Sequence, residues 1–231
     1  MKFGHPHRHL RLTESTNDVA RGLAANGAPS GTLVTAGVQS AGRGRHGRLW
    51  SAPAGKALLC STVLAPLRAE HALLPLAVPV AVCESIESVA PVECRIKWPN
   101  DIWLDERKVA GILIEARPPQ WAVIGVGVNV AIAPEEFPDD VRWPATSIGQ
   151  GASVDAVREA LCERLGHWTA TGDTEAVAAF RDRDALAGRY VEWEEGAGRA
   201  TGIAEDGNLL VELEDGGTAS LGSGEVSLRL R

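Results

Sequence analysis

The run CRIKWPNDIWLDERKVAGILIEARPPQWAVIGVGVNV, residues 94–130, decides the fold. It divides into residues 94–98, 101–104, 108–116 and 121–130, each rich in Val, Ile or Trp. β-Branched and aromatic residues suit a pleated, half-buried surface. Short polar breaks separate the stretches, with Asp105-Glu106-Arg107 placed as a hairpin turn. Successive strands joined by tight turns pair antiparallel, so the spacing predicts a largely antiparallel sheet. Its polar residues are concentrated: Lys97, Asn100, Asp101 and Lys108 surround one hairpin, and Pro99 favours an extended Trp98. Gly111, Gly125 and Gly127 weaken a strand unless something approaches the backbone there, and Asn129 closes the last strand. A solvent-facing charged hairpin would account for the lysines. Glycines on adjacent strands beside them read better as a pocket floor.

Upstream lies GRGRHGR, residues 42–48, in which Arg43, Arg45 and Arg48 alternate with Gly42, Gly44 and Gly47 around His46. No apolar residue is present to bury a face. Glycine lets a backbone come close to a ligand, and arginine offers forked, permanently charged donors for carboxylate or phosphate. The stretch fits G-x-G-x-x-G by its letters. A dinucleotide site, however, needs a helix opening at the loop and an acidic residue about 20 positions on. Here residues 49–53 (LWSAP) lack a helical period, and no Asp or Glu lies between Gly44 and Ala69. A phosphate loop ending in Gly-Lys-Ser/Thr is also excluded, because Gly47-Arg48-Leu49 stands there. The reading is an anion-binding loop, with a flexible solvated loop as the bland alternative.

Around these two stretches the rest of the chain falls into place. Residues 8–13 read as a short strand. Ser15-Thr16-Asn17-Asp18 precedes a helical stripe of Val19, Ala20, Leu23 and Ala24 that Asn26-Gly27 ends. One of those four polar residues serves as a cap; the cluster also suits a small polar ligand. Residues 31–39 and 56–64 are strand-like, and residues 73–89 form an apolar helix constrained by Pro75 and Pro79. Ser153 is placed to cap a helix striped by Val154, Val157, Leu161, Leu165 and Trp168, and residues 174–186 make another. Beyond Gly188, short strands alternate with glycine turns, and Val226, Leu228 and Leu230 alternate with polar residues, which predicts a small β-barrel. The fold class is α+β: a mixed, largely antiparallel sheet flanked by helices, followed by that barrel. The expected boundary divides residues 1–186 from residues 187–231.

Composition limits the function. The 231 residues carry a net charge of −7 and a pI near 5.4, against a nucleic-acid-binding surface spread over the whole molecule. Cys60, Cys83, Cys94 and Cys162 form no C-x-x-C pair and sit in apolar runs, which points to a reducing compartment, the cytoplasm. No run of 18 consecutive apolar residues and no signal-peptide core occurs, so no membrane partner is expected. His5, His7 and His9 alternate around Pro6 with no further ligand cluster beside them, so no metal site is assigned.

The segments STND (15–18), QSAGRGRHGRLW (39–50), KWPND (97–101), KVAGILIE (108–115), GVGVNV (125–130) and ATSI (145–148) occur in the order seen in biotin–protein ligases. The sequence resembles that family from about residue 12 to residue 148, and GEVSLR (224–229) is similar to its small SH3-like C-terminal domain. The resemblance implies ATP-dependent activation of biotin to biotinyl-5′-AMP. The biotinyl group then passes to a lysine of a biotin carboxyl carrier protein domain in a biotin-dependent carboxylase. ATP, Mg²⁺ and the substrate biotin are the implied small molecules, with the metal ligands unassigned.

The resemblance also implies roles. Ser15, Thr16 and Gln39 would bind the ureido ring, and Gly42, Arg43, Arg45, Lys108 and Gly111 complete the biotin side. Arg48, Trp50, Lys97, Asn100, Asn129 and Arg229 would bind ATP. Lys108 and Arg45 would carry catalysis, with Asp101 accepting the incoming amine's proton. Only 14 residues precede Ser15, too few for a helix-turn-helix. A monofunctional ligase that binds no operator DNA is therefore expected, as a monomer or weak homodimer. Two rivals remain at this level: a lipoate ligase or octanoyltransferase binding a fatty chain, and a non-catalytic RNA-binding module. The scarcity of Tyr and Phe for base stacking opposes the latter.

Overall fold

A computed structural model describes residues 2–138 and 144–223 together with the backbone of strand 229–230. The elements run β1 (His7–Leu10), α1 (Thr16–Ala25), β2 (Leu33–Ala36), β3 (Ala57–Leu64), α2 (Leu74–Glu87), β4 (Arg95–Lys97), β5 (Asp101–Leu104), β6 (Arg107–Arg117) and β7 (Trp121–Asn129). There follow α3 (Val154–Trp168), α4 (Asp173–Arg181), β8 (Tyr190–Trp193), β9 (Gly196–Ile203), β10 (Leu209–Glu212), β11 (Thr218–Leu221) and β12 (Arg229–Leu230). The large sheet has the order β1-β2-β3-β7-β6-β5-β4. Its pairings are antiparallel except β1 with β2, which run parallel.

The two faces of this sheet differ. On one, Leu58, Leu64, Ile112, Ile124, Val126 and Val128 join α2 and α3 in the main core. α2 is buried nearly all round, which its almost uncharged sequence requires, and it accommodates Pro79 within its length. α3 presents Val157, Leu161, Leu165 and Trp168 to that core, and the Ser153 hydroxyl accepts the Ala156 N–H at 3.3 Å to cap it. On the opposite face, Ala20 and Ala24 of α1 pack on Val34, Val63 and Val123. α1 covers only part of this face, and the remainder is the floor of a cavity.

A β-bulge makes that floor chemically active. Ile102 pairs with Ala110 but Trp103 pairs with Lys108, leaving Val109 as an extra residue in β6. Val109 and Ala110 therefore both face the main core, while Lys108 and Gly111 both line the cavity. In an unbroken strand, residues three apart point to opposite faces; the bulge re-aims Lys108. The turn before it, Asp105-Glu106, has positive φ at both residues (47° and 62°), the backbone of a tight two-residue hairpin.

Two expectations need correction. The helix placed at residues 174–186 ends at Arg181. Beyond it the backbone turns to pair with the outer strand: Ile96 N donates to Arg183 O at 2.8 Å and Ala185 N to Ile96 O at 2.9 Å. Edge pairing of β4 wins over helical continuation. The C-terminal strands form an open antiparallel sheet of order β11-β10-β9-β8-β12 rather than a closed barrel, with no β11–β12 pairing among the described residues. Val226 and Leu228, read as part of the barrel pattern, lie outside the described residues. Val191, Ala200, Ile203, Leu209 and Val211 of this sheet are continuous with the main core, and Trp98 Nε1 donates to Gly207 O at 3.1 Å.

Phe180 is fully buried in that shared core. Phe180→Ala should lower unfolding free energy by about 3–5 kcal/mol, read from urea denaturation. In the edge segment, Asp184 Oδ1 accepts the Leu186 N–H at 2.8 Å but Oδ2 is buried with no partner. Burial pushes its carboxyl above the ordinary value of 3.8, partly offset by the Leu186 and Ala187 N–H groups. The unfolded chain therefore releases this proton first, and the Asp184 contribution to stability falls as pH rises from the ordinary value through the raised one. Asp184→Asn should gain stability relative to the parent across that interval, measured as urea midpoints at stepped pH.

Candidate active site

Residues 42–50 fold as a tight hairpin: Trp50 N donates to Gly42 O at 2.8 Å and Gly44 N to Arg48 O at 2.7 Å. His46 and Gly47 turn the chain at φ 54° and 71°. Gly42 is required by close approach, since a Cβ there would lie 2.3 Å from the Trp50 carbonyl oxygen. The hairpin carries its arginines over the uncovered half of the sheet.

Beneath it, the floor is built from cross-strand rows. Leu59, Gly127, Gly111 and Asp101 are register partners across β3, β7, β6 and β5; Ser61, Gly125 and Leu113 form the next row. The Trp50 indole rests on the first row. A Cβ on Gly127 would meet its ring at 2.5 Å and one on Gly111 at 2.9 Å. Asn17 rests on the second, where a Cβ on Gly125 would lie 2.0 Å from its Oδ1. The glycines are therefore bare so that a ring and an amide can touch backbone. Trp50 Nε1, packed against Gly127, is buried with no acceptor among the described residues.

The cavity under the hairpin holds about 600 Å³, within the usual range of ligand sites. Its walls divide chemically. At one end, the Gln39 side-chain carbonyl accepts the Thr16 N–H at 2.7 Å and lies 3.0 Å from the Thr16 hydroxyl. Ser15 is the N-cap residue of α1, yet its side chain caps nothing, which leaves the hydroxyl to the cavity. At the other end the wall is cationic. Lys108 Nζ sits 2.6 Å from Asp101 Oδ1 and 5.4 Å above the Trp50 ring. Lys97 is 94% buried and lies 5.9 Å from the Trp103 ring. Arg45 reaches Asn100 Oδ1 at 3.3 Å and the Ser223 carbonyl from the C-terminal sheet. Burial pulls its guanidinium below the usual value; Asp101 opposes that and Arg48 adds to it. Arg43 pairs with Asp18 at 2.9 Å and Glu115 at 3.5 Å, on the α1 side.

Ser15, Thr16, Gln39, Arg43, Arg45, Arg48, Trp50, Lys97, Asn100, Asp101, Lys108, Gly111 and Asn129, all singled out from sequence, line this one cavity. Gly42 forms its hinge rather than its wall. Asn100 Nδ2 donates to Ile112 O at 2.9 Å and Asn129 Nδ2 to Thr146 O at 3.0 Å, which fixes both amides at the rim. The side chain of Arg229 lies outside the described residues. Sequence reasoning named Asn17 only as one of the polar cluster before α1, and missed Ser61 and Glu115. Asn17 sat in a string of helix-capping types, and Ser61 and Glu115 were single polar letters in apolar strands; the alternation of β6 was the available signal for Glu115. Asp101 is the sole carboxylate lining the cavity among the described residues. No group of three or more His, Cys, Asp or Glu able to hold a metal is assembled among them.

Set against known proteins, residues 9–129, just over half the chain, match the biotin/lipoate A/B protein ligase family, and residues 195–229 match the biotin protein ligase C-terminal domain. The biotin–[acetyl-CoA-carboxylase] ligase of Mycobacterium tuberculosis is 34% identical over 93% of this chain and 85% of its own length. The bifunctional ligase/repressor BirA of Bacillus subtilis is 38% identical over 67% of the chain, which spans 49% of that protein. The Aquifex aeolicus biotin protein ligase in complex with biotin and ATP superposes with a TM-score of 0.84 at 26% identity, covering 98% of this chain and all of that one. Matches of this extent on both the large sheet and the small one show that the chain belongs to the biotin/lipoate A/B protein ligase family and carries the biotin protein ligase C-terminal domain.

Proposed function

We propose that this chain joins biotin to ATP, giving biotinyl-5′-AMP and pyrophosphate, and passes the biotinyl group to a lysine of a biotin carboxyl carrier domain. One observation carries the reading. A neutral polar end (Ser15, Thr16, Gln39) and a cationic end (Arg45, Arg48, Lys97, Lys108) share one cavity, with Lys108 held over its floor by Asp101. A cyclic urea fits the first end and phosphates the second.

The chemistry needs this charge distribution. A carboxylate oxygen attacks the α-phosphorus while the bond to pyrophosphate breaks, so two anions must meet. Unit charges about 4 Å apart repel by about 4 kcal/mol at an effective dielectric near 20. On this reading Lys108, in the cavity wall and ion-paired with Asp101, meets the carboxylate and the α-phosphate as they join. The Arg45 guanidinium, anchored between Asn100 and Ser223, is pre-set to receive charge that develops on the phosphoryl oxygens. In the second step the carrier amine attacks the acyl carbon, AMP leaves, and Asp101 takes the amine's proton. The hairpin over the cavity excludes water from the mixed anhydride.

Mg²⁺, when bound with the nucleotide, would neutralise phosphate charge. The residues suit a metal that arrives with its phosphates and waters, since Asp101 is the single wall carboxylate among the described residues. The Arg45–Ser223 contact supports residues 187–231 as a second module that borders the nucleotide end. The carrier is the expected partner, with nucleic acid playing no part and the chain working as a monomer or weak homodimer. No helix among the described residues is long and apolar enough to cross a membrane; the cytoplasm is the proposed working compartment.

Lys108→Ala should lower biotin-dependent pyrophosphate release by about 100- to 1,000-fold with urea midpoints near the parent's. Parent-level release from that variant would remove Lys108 from its role. Lipoate is the nearest rival substrate, since the matched family covers both activities. Calorimetry should show heat of binding for biotin and none for lipoate at equal concentration; the reverse would reassign the site to a fatty chain.

A further inference from the structure

At the polar end of the cavity a chain of largely buried hydrogen bonds runs back from Thr16 in its wall. Glu115 Oε2 accepts from Asn17 Nδ2 at 2.8 Å, and the Leu113 carbonyl is the second acceptor near that amide nitrogen, at 3.4 Å. Glu115 is held in turn by Arg21 at 3.2 Å and Arg43 at 3.5 Å. Asn17 Oδ1 lies 2.6 Å from Ser61 Oγ, and Ser61 Oγ lies 2.7 Å from Thr16 Oγ1. Ser61 is wholly buried, Thr16 and Asn17 nearly so.

Counting hydrogens fixes the direction of this chain. A carboxylate and a carbonyl only accept, so the Asn17 amide must turn its nitrogen toward Glu115 and Leu113 and its oxygen toward Ser61. That oxygen only accepts, so the single Ser61 hydrogen is committed to it. Ser61 Oγ can then only accept from Thr16. Thr16 has one hydroxyl hydrogen, and its two protein neighbours, Ser61 Oγ and Gln39 Oε1, are both acceptors. Whichever of them takes it, the hydrogen points into the protein, and Thr16 turns lone pairs to the cavity. Gln39 spends its oxygen on the Thr16 N–H, which leaves its amide nitrogen as the group that donates outward.

We propose that Glu115, Asn17 and Ser61 are positioning residues that, together with the Gln39 carbonyl, lock Thr16 as a hydrogen-bond acceptor, so that the site selects a ligand offering a ring N–H at that point. The inference rests on the biotin reading and deepens it. A cyclic urea presents N–H groups flanking a carbonyl, which complement an acceptor (Thr16) and a donor (Gln39). A cyclic carbamate of the same shape places an ether oxygen where one N–H would be, lone pair against lone pair, and turning the Thr16 hydroxyl to relieve it sacrifices its inward hydrogen bond. Gly125 is part of the device, because its missing Cβ is what admits the Asn17 amide to the sheet surface.

The test compares biotin with its two cyclic carbamate analogues, each having one ring N–H replaced by oxygen, by calorimetry on the full chain. The parent should bind biotin at least about 100-fold tighter than one of the two. In Ser61→Ala the Gln39 carbonyl still accepts the Thr16 hydrogen, so the decisive comparison is Gln39→Ala with the double variant Gln39→Ala/Ser61→Ala. Only the double variant frees that hydrogen to reach the ether oxygen. Its ratio should be smaller than that of Gln39→Ala by more than about fivefold while ATP affinity stays within about twofold of the parent's. A merely structural loss would weaken both ligands together and leave the ratio unchanged. Parent affinities for both carbamates within about threefold of biotin would overturn the proposal without any variant. So would a Gln39→Ala/Ser61→Ala protein, folded by its urea midpoint, whose ratio lies less than about fivefold below that of Gln39→Ala. Absence of biotin binding to the parent would instead strike the proposed function itself.

Discussion

The site exists because part of one sheet face has no side chains. Along β6 and β7, Gly111, Gly125 and Gly127 expose backbone on the face opposite the main core. A bare strip in the middle of a sheet is unfavourable on its own, since glycine contributes no packing and orders at higher entropic cost. It is stabilised here by groups that need the space: the Trp50 ring on Gly127 and Gly111, and the Asn17 amide on Gly125. A single methyl group at any of the three would collide with one of them. The depth of the cavity, the place of the hairpin above it and the reach of α1 into it all follow from that strip.

Charge is then arranged around that bare strip. A molecule of net charge −7 gathers Arg43, Arg45, Arg48, Lys97 and Lys108 around one cavity, with Asp101 as their counterweight among the described residues. Such a cluster is unfavourable without an anion to join it. Arg43 relieves part of the repulsion by leaning onto Asp18 and Glu115 on the α1 side. Arg45 does so by spending its donors on Asn100 and on the Ser223 carbonyl. Those two contacts fix the plane of the guanidinium, so its remaining N–H groups need little reorganisation when phosphate charge arrives. The same Glu115 that receives Arg43 also anchors Asn17, which ties the cationic hairpin to the neutral end of the cavity.

The small C-terminal sheet is more than an appendage. Its inner residues share the core of α2 and α4, and Gly207 receives the Trp98 indole N–H. Trp98 stands directly before Pro99, Asn100 and Asp101, so the loop that feeds the cavity is braced from below by this sheet. The segment after α4, which leaves the helix to pair with β4, braces the same corner from the side. Stability of the edge strand and geometry of the cavity are therefore coupled through few residues.

The alternation of β-branched residues, the hairpin turns and the helical stripes are local properties, and they were legible: each strand and helix follows from neighbours a few positions away in the chain. The glycine and arginine positions that mark the cavity were legible for the same reason, because those residue types are poor choices for a packed core. Three things were decided only by the tertiary structure. The bulge at Val109, which sends Lys108 to the cavity, depends on pairing with β5 and leaves no mark in the letters of β6 alone. The end of α4 at Arg181 is set by an unpaired strand edge some 85 residues earlier. The Glu115–Asn17–Ser61–Thr16 chain joins three elements distant in sequence, and its polarity comes from counting hydrogens between partners that only folding brings together. Sequence specifies which groups are present and how each segment prefers to bend; which group faces which, and which of them must donate, is a property of the assembled sheet.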